Sequence, residues 1–253
     1  MINTETYRAK LKTLKNWDAF LLKESGLPGP RGNIELAQVV ADEGDAALFE
    51  RYLAFDAARA PTNSPYEFLA FCGVVGLGRL VAEGQAQHLA TLRACASDPR
   101  WRLREGVAMA LQRVGDHDMA RLVREMQKWS AGNLLEQRAA AAALCEPRLL
   151  RDHKQIEQVF AVLDDITASI ARVENRKSDE FIALRKGLGY CWSVAVAALP
   201  DVGKPMMEKW FTSKDRAVIW IMRENLKKNR LARADASWVT EWNTRLALSK
   251  AKG

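Results

Sequence analysis

The sequence predicts an all-α protein built as a stack of antiparallel helix pairs. Apolar residues recur at spacings of three and four residues, and one helix pattern returns along the chain at nearly constant intervals. The composition, 48% hydrophobic and 27% charged, is that of an ordinary soluble globular protein. A chain of 253 residues is long enough to bury a sizeable core as one domain or one array of repeats.

The clearest copy of the pattern is residues 97–116, SDPRWRLREGVAMALQRVGD. Asp98 is a capping residue, Pro99 suits the first helical position and Gly115 suits the end of a helix, so we expect one helix between them. Its apolar stripe is Leu103, Val107, Ala110 and Leu111, and its other side holds Trp101, Arg104, Glu105, Ala108 and Gln112.

The chain repeats this pattern when it is aligned with itself. The position of Leu111 is filled by Leu77, Leu144, Trp192 and Leu226, at steps of 34, 33, 48 and 34 residues. Steps near 34 are typical of stacked helix pairs, and the longer step predicts an inserted helix near residues 150–180.

We therefore expect a single repeat domain over residues 1–253, with about six helix pairs. It comprises a divergent N-terminal cap (1–60), core repeats (65–231) and a C-terminal capping helix (235–253). The predicted helices span residues 5–24, 34–43, 45–58, 65 onward, 97–116, 119–129, 134–145, 152–173, 181–199, 206–211, 215–231 and 237–250. Pro200, Gly203 and Pro205 are expected in a turn.

The repeated helix pattern resembles that of the HEAT-repeat family. In that family the second helix of each repeat has an Asp followed by a motif of roughly V-R-x-x-A-a-x-A-L. The matching positions are Leu103, Arg104, Val107, Ala108, Ala110 and Leu111, with a looser copy at Leu184, Arg185, Leu188, Gly189 and Trp192. The resemblance covers roughly residues 65–230, and its motif encodes packing between stacked helices. It implies a right-handed α-solenoid, a HEAT-like superhelix with a concave surface, and it implies no reaction.

The sequence indicates neither a secretory signal peptide nor a membrane-spanning segment. The first residues have interspersed charges without an apolar core of a signal peptide, and no apolar run approaches the length of about 20 residues that spans a bilayer. We expect a cytoplasmic protein that does not bind membranes.

Cysteine and histidine favour structural roles over metal or cofactor chemistry. The four cysteines form no CxxC motif, and buried free thiols are the simplest interpretation. The Asp116-His117-Asp118 run has the residue types of a metal site, but adjacent residues point in different directions and Asp suits a helix cap. We expect no metal and no small-molecule cofactor.

The glycine run GVVGLG, residues 73–78, has two interpretations. A phosphate-binding loop requires GxGxxG or GxxxxGK followed by Ser or Thr, and this run has neither spacing. Close approach of neighbouring helices at small residues is favoured.

Positive charge is concentrated near the C-terminus. Residues 1–200 contain 26 Lys and Arg against 25 Asp and Glu, whereas residues 201–253 contain 12 against 6. Arg223, Lys227, Lys228 and Arg230 form the centre of this cluster, and on one helix Arg223, Lys227 and Arg230 lie along one side. That side suits phosphates or an acidic protein surface, but the cations also suit a helix C-terminus and a solvated face.

Trp101 and Glu105 lie four residues apart on a second helix, with Arg104 adjacent. In this respect the chain is similar to the HEAT-like DNA alkylation-repair glycosylases, which place aromatic residues beside a carboxylate and basic residues in a concave cleft. The resemblance implies that the aromatic ring and the carboxylate stabilise a cationic base and the positive charge that develops on the sugar as the bond to the base breaks. That family uses an aspartate for the carboxylate, whereas this helix offers Glu105. Packing of tryptophan between repeats is the alternative.

Two function classes follow. The first is a non-catalytic scaffold that binds an acidic protein or nucleic acid. Its candidate binding residues are Trp101, Arg104, Arg185, Trp220, Arg223, Lys227, Lys228 and Arg230. The second is a DNA repair glycosylase with Trp101 and Glu105 at its site. The enzyme requires Glu105 open to a cleft near a second aromatic residue and a basic wall, whereas the scaffold requires a continuous exposed surface.

Overall fold

The computed structural model describes residues 4–251, and it describes the side chains up to residue 248. Within that range the chain forms fifteen α-helices and one 3-10 helix, with no strand. The predicted all-α class is therefore confirmed. The chain divides into two compact units, Met1–Asp118 (unit 1) and Met119–Gly253 (unit 2), and each is described by itself.

Unit 1 contains seven helices arranged around one long apolar helix, α5. They are α1 (Thr4–Lys12), α2 (Asp18–Glu24), α3 (Ile34–Glu43), α4 (Ala46–Leu53), α5 (Pro65–Ala82), α6 (His88–Cys95) and α7 (Trp101–His117). Helices α2, α3, α4, α6 and α7 all pack against α5. The side chains of Asn33, Asp45 and Ser64 accept the backbone N–H three residues ahead and so begin α3, α4 and α5.

The glycines of α5 allow neighbouring helices to approach closely. A Cβ atom on Gly76 would overlap the ring of Phe49, and one on Gly78 would overlap the backbone of Ala110 on α7. A Cβ atom on Gly73 would lie 2.9 Å from the carbonyl oxygen of Phe49. The prediction that GVVGLG is a packing surface is confirmed.

Helix α5 is also long and apolar enough to cross a membrane, by length and composition alone. The sequence pattern did not predict such a segment. However, 78% of the helix is buried inside the fold. That burial is typical of the core helix of a soluble protein.

Unit 2 contains two series of helices. They are α8 (Met119–Ser130), α9 (Leu134–Leu144), α10 (His153–Ser169), α11 (Asp179–Ala198), α12 (Pro200–Phe211), α13 (Arg216–Leu226), α14 (Asn229–Ala234) and α15 (Ala236–Ala251). Helix α11 packs against both α9 and α13, and α10 packs against both α8 and α12. A 3-10 helix (Ile170–Arg172) extends α10, so the predicted long helix over 152–173 is confirmed.

The five reference positions of the repeat lie in the core. Leu77, Leu111, Leu144, Trp192 and Leu226 are each at most 2% exposed, on α5, α7, α9, α11 and α13 in turn. Within unit 1, α5 packs against α7, and within unit 2, α9, α11 and α13 pack in sequence. The periodicity therefore identified buried positions.

The predicted ends of the 97–116 helix are wrong. Helix α7 begins at Trp101 and ends at His117, and Gly115 is a buried residue within it. The carboxylate of Asp98 accepts the backbone N–H of Arg100 at 2.8 Å and also binds the Arg100 guanidinium. These hydrogen bonds hold the residues before Trp101 in a turn, so Pro99 precedes the helix.

The single helix predicted over residues 5–24 is also wrong, because α1 and α2 are separate. The indole N–H of Trp17 donates to the carbonyl oxygen of Leu11 at 3.1 Å, and the side chain of Asn16 accepts the backbone N–H of Asp18 at 2.7 Å. These bonds stabilise a turn, although the apolar spacing continues through it.

The turn expected at Pro200–Pro205 is the start of a helix. Pro200 occupies the first turn of α12, where its missing N–H requires no partner, and Pro205 lies inside that helix. Gly203 lies against Val196, whose Cα would be 2.9 Å from a Cβ atom on the glycine.

The C-terminal helix α15 is anchored by its tryptophans. The indole N–H groups of Trp238 and Trp242 both donate to Oε1 of Glu208, at 2.6 and 3.3 Å. Trp238 and Leu246 are buried, whereas Trp242 is half-buried, with its ring centroid 4.4 Å from that of Phe211.

Gly78→Ala should lower the free energy of unfolding by about 1–3 kcal/mol, because the new methyl group forces α5 away from the backbone of Ala110. Gly187→Ala on α11 is the control, since only the flexible Arg138 side chain lies near that site, at 3.3 Å. The control should be neutral or stabilising, because alanine favours a helix by about 1 kcal/mol over glycine. Urea denaturation followed by circular dichroism measures both, and equal stability of the two variants would contradict this packing.

Candidate functional site

The predicted site residues fall into two groups, one in each unit. Trp101, Arg104 and Glu105 lie on α7 in unit 1. The remaining candidates lie on or between α11, α13 and α14 in unit 2.

The cations near Trp101 are engaged by the protein itself. Trp101 is 43% exposed, and the guanidinium carbon of Arg102 lies 4.4 Å from its ring centroid. Arg104 donates to the carbonyl oxygens of Asp98 and Pro99, at 2.6 and 3.0 Å. Glu105 lies one turn beyond Trp101 and is half-buried. Arg104 thus supports the turn that precedes α7.

A buried ion pair lies beside Trp101. Nη1 of Arg102 is 3.1 Å from Oε2 of Glu67, and the Glu67 side chain is completely buried. Nη2 of Arg102 donates to the carbonyl oxygen of Gly29 at 2.6 Å and to the side chain of Asn63 at 3.2 Å. Among the described residues, Oε1 of Glu67 and Nε of Arg102 are buried without a hydrogen-bond partner. The pair joins the start of α7 to the loops before α3 and α5.

Arg102→Met should destabilise the protein by about 3–5 kcal/mol, because it leaves the Glu67 carboxylate buried without its cation. The double variant Glu67→Leu and Arg102→Met should recover much of that loss, since no charge remains to be desolvated. Chemical denaturation of both variants measures the difference. A single variant as stable as the unmodified chain would show that the pair does not support the fold.

In unit 2 the basic cluster spans a helix break. Helix α13 ends at Leu226, the backbone of Lys228 is extended, and α14 begins at Asn229. The expectation that Arg223, Lys227 and Arg230 lie along one side of a single helix is therefore wrong. The break places Leu231 in the core, 1% exposed, and no glycine or proline marks it in the sequence.

Cationic and aromatic side chains from different helices meet on this part of unit 2. The guanidinium carbon of Arg185 on α11 lies 4.4 Å from the ring centroid of Trp220 on α13. The guanidinium carbon of Arg230 lies 4.5 Å from the ring centroid of Tyr190, and Arg230 donates to the Tyr190 hydroxyl. Nζ of Lys228 lies 5.9 Å from the same centroid. Cation–π attraction thus orders two rings on the surface.

Two glycines of α11 bring the flanking helices close. A Cβ atom on Gly189 would lie 3.2 Å from Glu224 and 3.3 Å from the Trp220 ring, both on α13. One on Gly187 would lie 3.3 Å from the Arg138 side chain on α9. At 100° per residue, Gly187 and Gly189 face opposite sides of α11. Their small size lets side chains from both neighbours lie against α11.

Most cations in this region are not neutralised. Lys227 forms an ion pair with Glu224 at 2.5 Å. Arg223 donates to the carbonyl oxygen of Leu246 at 2.7 Å, so its guanidinium supports α15. Within residues 4–251, no carboxylate lies within ion-pair distance of the cations that surround Trp220 and Tyr190. These unpaired cations are Arg185, Lys186, Lys228 and Arg230.

We define the basic-aromatic face as the cationic and aromatic residues of this region: Arg185, Lys186, Tyr190, Trp220, Lys227, Lys228 and Arg230. Lys186, Tyr190 and Lys227 are exposed, whereas the other four are half-buried, and Nε of Arg185 is buried without a hydrogen-bond partner. Lys186 and Tyr190 were not predicted from the sequence. Both are exposed, and Tyr190 is 44% exposed. Lys186 and Tyr190 are four residues apart and so lie on one side of α11. This spacing is the sequence feature that could have identified them.

The cysteines are free thiols, and three of the four, Cys72, Cys145 and Cys191, are buried. Burial raises the pKa of Cys145 well above its usual range, as does a hydrogen bond with Cys191, and burial raises the pKa of Cys95 to about 11. Among the described residues, no group of three or more His, Cys, Asp or Glu side chains is arranged to hold a metal ion.

Comparisons with protein-family models, with curated proteins and with solved structures find no match for this chain. The geometry of the basic-aromatic face is thus the principal guide to function.

Proposed function

We propose that this chain is a non-catalytic, HEAT-like scaffold of stacked helix pairs that binds an acidic ligand, nucleic acid or an acidic protein segment, through its basic-aromatic face. The observation that supports the proposal most directly is the set of unpaired cations beside Tyr190 and Trp220. An uncompensated positive surface raises the local concentration of anionic ligands and accelerates their binding.

The packing order of the helices supports the scaffold part of the proposal. In unit 2 the helices that contain reference positions, α9, α11 and α13, pack in sequence, and α8, α10 and α12 do the same. Two parallel series of this kind are what stacked helix pairs produce. In such an array the exposed side of one series forms a continuous binding surface.

Charge reversal on the face should abolish binding of a polyanion. Lys228→Glu with Arg230→Glu should weaken binding by about tenfold or more at low salt, because two attractive charges become repulsive. The control, Lys10→Glu with Lys23→Glu, makes the same change in net charge at exposed positions of unit 1 and should bind as the unmodified chain does.

Fluorescence anisotropy across a salt series measures this binding, with labelled DNA, RNA and an acidic peptide as separate probes. If about four cations contact phosphates of a single strand, the logarithm of affinity should fall with the logarithm of salt concentration at a slope of about −3. Equal losses for the two double variants would show that the face is not the binding surface.

A base-release assay tests the enzymatic alternative, in which Trp101 and Glu105 form a glycosylase site. A duplex with an alkylated base should be recovered with the base intact. Release of the base, lost in Glu105→Gln, would contradict the non-catalytic proposal and favour repair.

A further inference from the structure

We infer that the ligand of the basic-aromatic face is single-stranded nucleic acid, with an unpaired base on the Tyr190 ring and backbone phosphates on Lys228 and Arg230. This inference rests on the proposed function and narrows it. It follows from the exposure of Tyr190, the arrangement of the helices around it and the free donors of Arg230.

Tyr190 is placed where a ligand can reach it. Its side chain is among the few large hydrophobic side chains that are exposed within the described residues. On α11, Lys186 and Tyr190 project between the directions of Gly187 and Gly189, and therefore between the two flanking helices. A solvated basic surface or a site for acidic peptides requires only charge, whereas an exposed ring among cations is the usual platform for an unstacked base.

The arrangement of the helices disfavours reading of bases within a duplex by this face. Helix α11 is flanked by α9 on one side and by α13 on the other. One helix with its side chains is about 10–12 Å wide, and the major groove of about 12 Å admits one helix. A surface made of adjacent helices is too broad to enter the groove as a single helix does, which favours contact between Tyr190 and an unpaired base.

Arg230 is oriented to bind a phosphate beside that base. Its bond to the Tyr190 hydroxyl fixes the guanidinium against the ring. The guanidinium has five N–H donors, and within the described residues no other hydrogen bond uses them. Lys228 lies over the same ring, and Lys186 lies one turn earlier on α11, about 6 Å along its axis. These cations suit successive phosphates of one strand.

The test uses fluorescence anisotropy with the full chain and labelled probes of equal length. The probes are single-stranded oligo-dT, oligo-rU, the matching duplex, an abasic single strand and poly-glutamate. We expect both single strands to bind at least about tenfold more tightly than the duplex. Equal affinity for the duplex and the single strands would overturn the inference while leaving the proposed function intact.

Two substitutions isolate the contribution of the ring. Tyr190→Ala should weaken binding of oligo-dT by at least about fivefold, because a base–aromatic stack is lost. Tyr190→Phe keeps the ring and should bind within about threefold of the unmodified chain. On the abasic strand, Tyr190→Ala should weaken binding less than on oligo-dT, because only the positioning of Arg230 is lost. A loss on the abasic strand equal to that on oligo-dT would overturn base stacking, and circular dichroism confirms that each variant is folded.

The remaining outcomes separate this inference from the proposed function. Binding of poly-glutamate without binding of either single strand would overturn the inference and identify the face as a site for acidic protein. Binding of none of the probes at low salt would overturn both.

Discussion

Close contact between helices at small residues is the constraint on which the rest of the structure depends. In unit 1, Gly78 of α5 lies directly against the backbone of Ala110 on α7. In unit 2, Gly187 and Gly189 allow α9 and α13 to flank α11. In unit 2 the neighbours of these glycines are side chains, so the small residues leave room for Trp220 and Arg138 to lie against α11. The Trp220 ring held there lies beside the guanidinium of Arg185.

The sequence was most informative where burial imposes a period. Leu111 and Trp192 are both buried, as the apolar period of their helices predicts. Helix ends were harder to predict, because apolar spacing continues through the break at Lys227–Lys228 and no glycine or proline marks it. Pro205 shows the converse, since a residue that usually ends helices lies within α12.

The candidate site was only partly predictable for a related reason. Charge clustering identified Lys228 and Arg230, but their partner Tyr190 is 40 residues from Arg230 in the chain. No local pattern reports such a contact. Arg104 and Arg223 show the same limit, because each resembles a free surface cation in the sequence, yet each donates to backbone carbonyl oxygens. Long-range packing decides which cations remain available to a ligand.

Photochemical cross-linking of a single-stranded oligonucleotide that contains a photoreactive base tests the central claim most directly, because it reports which residues contact the base. Digestion and mass spectrometry would then locate the attachment. We expect attachment to peptides of α11, α13 and α14, centred on Tyr190. Attachment confined to unit 1, for example at exposed Trp101, with none on those helices would contradict it.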